Sequence, residues 1–214
     1  EFNTRFDWAV ASNRLFLANG QITLWAEILN APTGTAPKLY WWGLTPNTYS
    51  GYTLDAMPTI TAADQSSGDL GETQYYGYAF TYYSDPDTTL ASSIQKGTGA
   101  ESLPSAVVTE VTTSSNKTIR IANMTANDDP QVTHKRIYRT ENGTSTSSGF
   151  ATAAEAEAAP LKFVAAITDA TLYYDDDGSI FAGLDTITSS GYDNPPTDLA
   201  HLAHYAGRIW GASA

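Results

Sequence analysis

The sequence contains no cysteine, only 3 histidines, and 11 lysines and arginines against 23 aspartates and glutamates. Without cysteine, disulfide bonds and thiolate metal sites are excluded. The formal net charge of -12 argues against nucleic-acid binding, which needs clustered cations to displace counterions from phosphates. No apolar run reaches membrane-spanning length and nothing resembles a signal peptide, although residue 1 is Glu, so we expect a part of a longer or processed product.

What the sequence does contain is typical of an all-β protein. Aromatic residues make up 12% of the chain, including 13 Tyr and 5 Trp, and turn-forming Gly and Pro are frequent. The middle of the chain carries short strand patterns separated by turn signals, and about seven such strands fit a β-sandwich. The patterns are TQYYGYAFTYYSD, ESLPSAVVTEV, KTIRIANM, VTHKRIYRTENG, LKFVAAIT and TLYYDDDG. Helix is predicted only within Ala151–Ala159, which is rich in Ala and Glu.

The stretch RLFLANGQITLW, residues 14–25, predicts a β-hairpin. Its Asn19-Gly20 dipeptide is typical of a two-residue type I′ turn, because both positions of that turn need a positive φ. Such a turn pairs Leu17 with Ile22 and Leu15 with Leu24, and it places Arg14, Phe16 and Trp25 on the other face. A further strand is predicted within KLYWWGLT, residues 38–45.

The end of the chain repeats the pattern of its beginning. Residues 203–213 align with residues 9–19. Matched positions are 194 residues apart, as Arg14 and Arg208 are. The matched pairs are Ala9 with Ala203, Arg14 with Arg208, Leu15 with Ile209, Phe16 with Trp210 and Ala18 with Ala212. Adjacent propeller blades repeat about every 40 to 45 residues, so this spacing favours a repeat array interrupted by an inserted domain. Chance similarity between strands is the alternative.

Two groups of strand patterns resemble a known fold. YYGYAFTYYSD…ESLPSA resembles the last two strands of a fibronectin type III domain, and VTHKRIYRTENG…LKFVAAITDATLYYDDD resembles its middle strands. The last strands come first, so the sandwich would be circularly permuted. With LYWWGLTPNT before it and YDNPPTDLAHLAHYAGRIWGA after it, the arrangement is similar to tailed-phage virion proteins, in particular tail nozzle or tubular proteins of short-tailed phages. The resemblance covers residues 13–213 and includes no catalytic signature.

The resemblance implies an all-β organisation in three segments. Residues 1–52 would form a β-hairpin segment of a propeller-like body, residues 53–190 an inserted fibronectin III/Ig-like β-sandwich, and residues 191–214 the return to that body. It implies a noncatalytic structural component of a phage tail or neck within the virion, a homo-oligomeric ring contacting other tail subunits, with no specific nucleic-acid or membrane binding. A carbohydrate-binding or adhesive β-domain on a phage or cell surface is the alternative. Segments 86–99 and 151–159 depart from the compact sandwich pattern.

Several motifs contain residues typical of metal or catalytic sites, but we expect no catalytic, cofactor or metal role for them. Asp175–Gly178 offers carboxylates for calcium but lacks the EF-hand spacing, and Asp128-Asp129-Pro130 is typical of a turn. His201 and His204 would approach one metal only on a helix, whereas we expect a loop leading into a strand. No triad motif accompanies the three histidines, so we expect no enzyme.

The remaining polar and aromatic motifs have ordinary structural explanations. HKRIYR, residues 134–139, is the one basic cluster, and strand alternation splits it between two faces where neighbouring acids would pair with the cations. Trp41-Trp42 could stack on sugars, but core or interface packing is favoured. The glycosylation sequons at Asn116, Asn123 and Asn142 would matter only in a eukaryotic secretory route.

Overall fold

The computed structural model describes the following residues: 7–11, 14–18, 23–27, 40–41, 49–50, 53–54, 60–65, 67–84, 100–127, 129, 131–142, 148–178, 199–205 and 208–213. The predicted turn at Asn19-Gly20, the departing segment 86–99, Asp128, Pro130 and Trp42 lie outside these residues.

The prediction of an all-β chain is confirmed. Sixteen strands are described, joined into antiparallel sheets, together with one six-residue helix within the described residues. The strands are β1 (Asp7–Ala11), β2 (Arg14–Ala18), β3 (Thr23–Glu27), β4 (Tyr40–Trp41), β5 (Tyr49–Ser50), β6 (Thr53–Leu54), β7 (Thr61–Asp64), β8 (Tyr75–Ser84), β9 (Ala100–Glu101), β10 (Val108–Val111), β11 (Ile119–Ala122), β12 (His134–Thr140), β13 (Leu161–Thr168), β14 (Tyr174–Asp176), β15 (Leu199–Tyr205) and β16 (Arg208–Ser213), and the helix is α1 (Ala153–Ala158).

The chain divides into two compact units. Residues 1–45 and 194–214 form one, called here the terminal unit, and residues 46–193 form the other, called the central unit. The assignment of these regions to a propeller-like body and a fibronectin-like sandwich stays a prediction.

The terminal unit contains a four-stranded sheet in the order β1-β2-β3-β4 and the two-stranded hairpin β15-β16. Its two chain segments contact each other through a buried cluster of Ala9, Ala18 and Leu202, against which Phe16 and Ile209 pack. The backbone N–H of Leu202 also donates to the Asp7 carboxylate at 2.7 Å. The first and last segments of the chain therefore share one core.

The register predicted for the β2–β3 hairpin is wrong. Leu17 pairs with Leu24 and Leu15 with Ala26, and the pairing of Ala18 with Thr23 leaves four residues between the strands. The shift is two residues, so each side chain keeps its predicted face: Leu15, Leu17 and Leu24 on one side, and Phe16 opposite Trp25 on the other. The guanidinium of Arg14 lies 4.3 Å from the centre of the Trp25 ring on that second side.

The central unit is built on two larger sheets. One has the order β10-β8-β12-β13, with β9 also paired to β8, and the other has the order β14-β11-β7; β5 and β6 form a separate pair. Each of the six strand patterns found in the middle of the sequence contains a strand, and KLYWWGLT contains β4. These strand predictions are confirmed.

Side chains of the two larger sheets meet in a buried interior. In β8, alternate residues point the same way, and Tyr78, Phe80 and Tyr82 are fully buried. The hydroxyl of Tyr78 donates to Asp176 of β14 at 2.8 Å, and that of Tyr82 donates to the Thr125 carbonyl after β11 at 2.9 Å. Long tyrosines thus link the sheets by their polar ends while their rings fill the interior.

The predicted helix within Ala151–Ala159 is confirmed as α1. Thr152 caps it: its hydroxyl accepts from the Glu155 N–H, and the Glu155 carboxylate accepts from the Thr152 N–H. The helix buries Ala156 beside Gly77 of β8, where an added Cβ would lie 2.9 Å from the Ala156 carbonyl oxygen. Glycine at position 77 therefore permits the close approach of helix and sheet. No helix among the described residues is long and apolar enough to cross a membrane.

Candidate functional site

The outward face of the β14-β11-β7 sheet carries the candidate site. Alternation in β11 buries Ile119 and Ile121 and turns Arg120 outward, where it lies opposite Asp175 of β14. Asp176, the next residue of β14, points inward and is fully buried. The same alternation that builds the core therefore places a cation and a carboxylate side by side on the outer surface.

Arg120 and Asp175 form a two-pronged ion pair. The Nε of Arg120 donates to Oδ1 of Asp175 at 2.6 Å, and its Nη2 donates to Oδ2 at 2.7 Å. The guanidinium also lies 4.4 Å from the centre of the Tyr173 ring. The hydrogen bond to Asp175 is the largest cause of the raised pKa of Arg120. This geometry fixes the plane of the guanidinium and the position of the tyrosine.

A groove of about 590 Å³ opens on one side of Arg120. Leu172 and Tyr173 form its apolar wall, with 55% and 50% of their surface exposed. The other lining residues are Arg120, Ala122, Asn123, Met124 and Thr125. Asn123 has a φ of 60° and its amide lies 3.4 Å from the hydroxyl of Thr61.

A second, polar cleft of about 370 Å³ also contacts Arg120. It is lined by Gln65, Ser67, Thr118, Arg120, Asp175 and Asp177. The face thus combines a half-exposed aromatic ring with hydrogen-bonding groups in a fixed arrangement. Such a surface can stack on a flat apolar group and hydrogen-bond its polar edge, which is a binding chemistry.

The basic cluster HKRIYR forms β12, and the prediction that neighbouring acids pair with its cations is confirmed. Arg139 donates to Asp176 at 2.5 Å, Arg136 donates to Glu101 at 2.7 Å, and Lys135 lies 3.2 Å from Asp169. All three cations are buried. They hold the interior and neighbouring strands together, so this cluster is no surface for phosphates.

The buried pairs shift the pKa values of the groups around them. Burial is the largest cause in each case: it lowers the pKa of Lys135, raises that of Tyr82 to about 12, and raises those of Tyr78 and Tyr138. The carboxylate of Asp176, which accepts from Tyr78, adds to the upward shift of that tyrosine. These tyrosines are neutral hydrogen-bond donors at ordinary pH.

The three carboxylates of Asp175–Gly178 do not converge. Asp175 pairs outward with Arg120 and Asp176 pairs inward with Arg139, while Asp177 lines the polar cleft together with Asp175, so the three do not meet at one point. Asp129 accepts from the N–H of Gln131 at 2.9 Å, as in a turn. No group of three or more His, Asp or Glu residues that could hold a metal ion occurs within the described ranges.

His201 and His204 lie in β15, so the expected loop is wrong at this position. The two histidines are three positions apart in the strand, so their side chains point to opposite faces of the hairpin. Both side chains are exposed. The carboxylate of Asp7 is 3.9 Å from Nδ1 of His201. The two histidines therefore cannot bind one ion together, and their surface placement agrees with the preferred interpretation.

Of the remaining sequence motifs, one sequon contributes a residue to the lining of the groove. Asn123 belongs to the second sequon and lines the groove, Asn116 is exposed with a φ of 59°, and the Asn142 amide donates to the Gly149 carbonyl. Trp41 is in β4. Sequence reasoning missed Arg120, Leu172 and Tyr173; the outward position of Arg120 in the alternating TIRIA pattern was the available signal.

No protein-family model matches the chain, and no curated protein is significantly similar to it.

Proposed function

We propose that this chain is a noncatalytic structural component of a bacteriophage tail or neck, of nozzle or tail-tube type, acting in the virion through subunit contacts in an oligomer. The resemblance of its strand patterns to such proteins suggests the setting. A fibronectin-like sandwich inserted in a propeller-like body belongs to the same proposal. The all-β architecture is compatible with it, and so is the sequence order, in which the residues of the central unit separate the two segments of the terminal unit.

The observation that carries the proposal is the exposed apolar surface of the terminal unit. Trp8 is 63% exposed, Val10 42%, Tyr205 74% and Trp210 55%. Large aromatic side chains in contact with water are enriched where proteins bind one another, because burying them on assembly is favourable and costs little side-chain entropy. Three exposed aromatic side chains and one exposed valine suit this unit to a subunit contact.

A passive role beside DNA is compatible with the charge of the chain. The net charge is -12, and each cation of the basic strand β12 that could face a phosphate is buried in an ion pair with an acid. Binding of duplex DNA depends on releasing counterions through exposed cations. We expect no measurable affinity for duplex DNA at physiological salt, measured by fluorescence anisotropy with a labelled duplex.

The test of the proposal is the location of the protein. Purified particles of the phage that encodes it are dissociated stepwise, and the fractions are analysed by mass spectrometry for peptides of this chain. We expect the peptides to copurify with tails or neck complexes. Recovery of the protein only in the medium, separate from particles and with glycan-cleaving activity, would overturn the proposal.

A carbohydrate-binding role is the second candidate, and the groove beside Tyr173 favours it. Sugars bind to exposed aromatic rings through their apolar faces while fixed polar groups hold their hydroxyls, and Tyr173 has Arg120 and Asn123 beside it. A glycan array tests this role with the wild type, Tyr173→Ala, and Leu103→Ala as a control for an exposed side chain elsewhere in the central unit. Binding that Tyr173→Ala alone abolishes would support adhesion; equal signals from all three proteins would exclude this site.

A further inference from the structure

The first and last hairpins of the terminal unit have the same pairing register. In the first hairpin, formed by β1 and β2, Ala11 pairs with Arg14 across a two-residue connection. In the last, formed by β15 and β16, Tyr205 pairs with Arg208 across a connection of the same length. Five successive pairs of the first hairpin correspond to five pairs of the last when 194 is added to each residue number. At one end, the pair Asp7 and Ala18 corresponds to His201 and Ala212. At the other end, the pair Ala11 and Arg14 corresponds to Tyr205 and Arg208. The repeat in the sequence is therefore also a repeat of structure.

Each hairpin has two faces, because directly paired residues of antiparallel strands point to the same side. One face, called the alanine face, carries Ala9, Phe16 and Ala18 in the first hairpin and Ala203, Trp210 and Ala212 in the last. The other, called the leucine face, carries Trp8, Val10, Leu15 and Leu17 in the first hairpin and Leu202, His204, Ile209 and Gly211 in the last.

The contact between the two hairpins joins unlike faces. Ala9, Ala18 and Phe16 of the first hairpin's alanine face pack with Leu202 and Ile209 of the last hairpin's leucine face. Small alanines let the second hairpin approach closely, and the larger aliphatic side chains fill the space between the sheets. This contact is a head-to-tail contact, since it uses a different face of each repeat.

Each hairpin has exposed side chains on the face that the internal contact does not use, and these two faces are of the two different kinds that meet in that contact. The first hairpin exposes Trp8 and Val10 of its leucine face, and the last exposes Ala203, Trp210 and Ala212 of its alanine face. On the alanine face, the last hairpin has Trp210 in place of Phe16, and it also has His201 and Tyr205 at the positions of Asp7 and Ala11. Both halves of a second contact of the same kind are therefore present on the surface.

We propose that a second copy of this chain occupies these faces, with the alanine face of the last hairpin in one copy packed on the leucine face of the first hairpin in the next. The inference rests on the proposed function, since it supplies the subunit contact of the oligomer. The occupant is argued from the internal contact, which shows how one such hairpin seats on another. Because the contact is head-to-tail, copies add in one direction and either close into a ring or extend as a filament.

One polar interaction would not be repeated between copies. Asp7 accepts from the backbone N–H of Leu202 in the internal contact, and the position equivalent to Asp7 in the last hairpin is His201. The contact between copies would therefore depend on apolar burial, with Trp8 and Trp210 as its largest side chains. Substitution of either residue by a charged one should remove it.

The experiment uses two single variants and their mixture. Trp8→Asp damages the leucine face of the first hairpin, and Trp210→Asp damages the alanine face of the last. Sedimentation velocity is measured for the wild type over a wide range of concentrations, for each variant alone, and for an equimolar mixture. We expect the wild type to form species larger than a monomer, each variant alone to remain monomeric, and the mixture to form a dimer through its one intact pair of faces.

Controls separate folding from association. Leu103→Asp places the same charge on an exposed residue of the central unit and should associate like the wild type. Circular dichroism and tryptophan fluorescence verify that each variant is folded; if Trp8→Asp is not, Val10→Lys replaces it on the same face.

Three results would overturn the inference: a wild type that is monomeric throughout, variants that associate as the wild type does, or a mixture that stays monomeric. These leave the virion location untouched. Conversely, association through these faces in a protein absent from particles would contradict the proposed function and leave the inference standing.

Discussion

The two units of the molecule use aromatic residues in opposite ways. All five tryptophans belong to the segments of the terminal unit, and Trp8 and Trp210 are exposed there. The central unit instead buries its tyrosines, with Tyr78 and Tyr82 fully enclosed and hydrogen-bonded to neighbouring elements. The exposed large apolar side chains described in the central unit are Leu103, Leu172 and Tyr173. The terminal unit exposes Trp8, Val10, Tyr205 and Trp210, an apolar surface that a partner can cover.

Charged residues show the same difference within the central unit itself. The pair of Arg139 and Asp176 is fully buried, and the pair of Arg120 and Asp175 is more than one third exposed. The exposed pair joins β14 to β11 in its own sheet, the buried pair joins β14 to β12 of the other sheet, and both have short contacts. Water around the outer pair screens it, so the two should differ greatly in their effect on stability.

The largest effect is expected from breaking the buried pair. Arg139→Met leaves the Asp176 carboxylate in the interior without its cation, which should lower the free energy of unfolding by about 3 to 5 kcal/mol. Urea denaturation followed by far-ultraviolet circular dichroism measures it. Arg120→Gln is the matched control at the exposed pair and should change the denaturation midpoint little.

A double variant distinguishes lost charge pairing from lost packing. Arg139→Met combined with Asp176→Leu removes both charges, so it should recover much of the stability that Arg139→Met alone loses. A double variant less stable than the single would show that Asp176 acts through its bonds to Tyr78 and Gly178 instead.

The buried tyrosines should make the central unit sensitive to alkali. The pKa of Tyr82 is about 12 in the folded protein against 10.0 for the ordinary side chain, so the unfolded state loses its proton first. The contribution of this tyrosine to the free energy of unfolding is fully present below about pH 10. It falls by about 2 to 3 kcal/mol as the pH approaches 12. Tyr78 and Tyr138 act in the same direction, while the lowered pKa of Lys135 acts in the opposite one.

Thermal unfolding measured from about pH 9 to about pH 12 tests this expectation. Tyr82→Phe removes the titrating group and keeps the ring, so its melting temperature should fall less steeply with pH than that of the wild type. Identical slopes for the two proteins would contradict the assignment.

A smaller effect is expected from a matched pair of sites in the terminal unit. Leu202 and Trp8 occupy equivalent positions of the two hairpins, but Leu202 is buried in the internal contact and Trp8 is exposed. Leu202→Ala should destabilise this unit by about 2 to 3 kcal/mol, whereas Trp8→Ala should stay within about 0.5 kcal/mol in the monomer.

Tryptophan fluorescence during urea denaturation reports on the terminal unit, because all tryptophans belong to it. The measurement is made at low protein concentration, so that association does not contribute. If Leu202→Ala and Trp8→Ala lowered the free energy of unfolding equally, the two leucine faces would not differ in burial.

Much of the strand content could be predicted from the sequence because alternation and turn residues are local signals. The register of the β2–β3 hairpin could not, since a shift of two residues keeps Leu15, Leu17 and Leu24 on one face and leaves the apolar pattern unchanged. The turn preference of Asn19-Gly20 was the only local guide, and the pairing observed overrules it.

The candidate site was harder to predict because its parts are distant in the sequence. Alternation in β11 places Arg120 outward, but its partner Asp175 is 55 residues away and becomes a neighbour only through sheet pairing. For the basic strand β12, the prediction of pairing with acids needed only strand geometry and the excess of carboxylates, and it is confirmed. The repeat of the first hairpin was visible in the sequence, but its two faces could be assigned only from the register.

The central claim, that the last hairpin of one copy seats on the first hairpin of another, is tested most directly by disulfide trapping. The chain has no cysteine, so Trp8→Cys and Ala203→Cys each introduce a single thiol at positions that match the buried internal neighbours Leu202 and Ala9. Mild oxidation of the mixed variants should give a covalent dimer containing one chain of each. Equal or greater yields of dimers from either variant alone, or no dimer in the mixture, would contradict the claim.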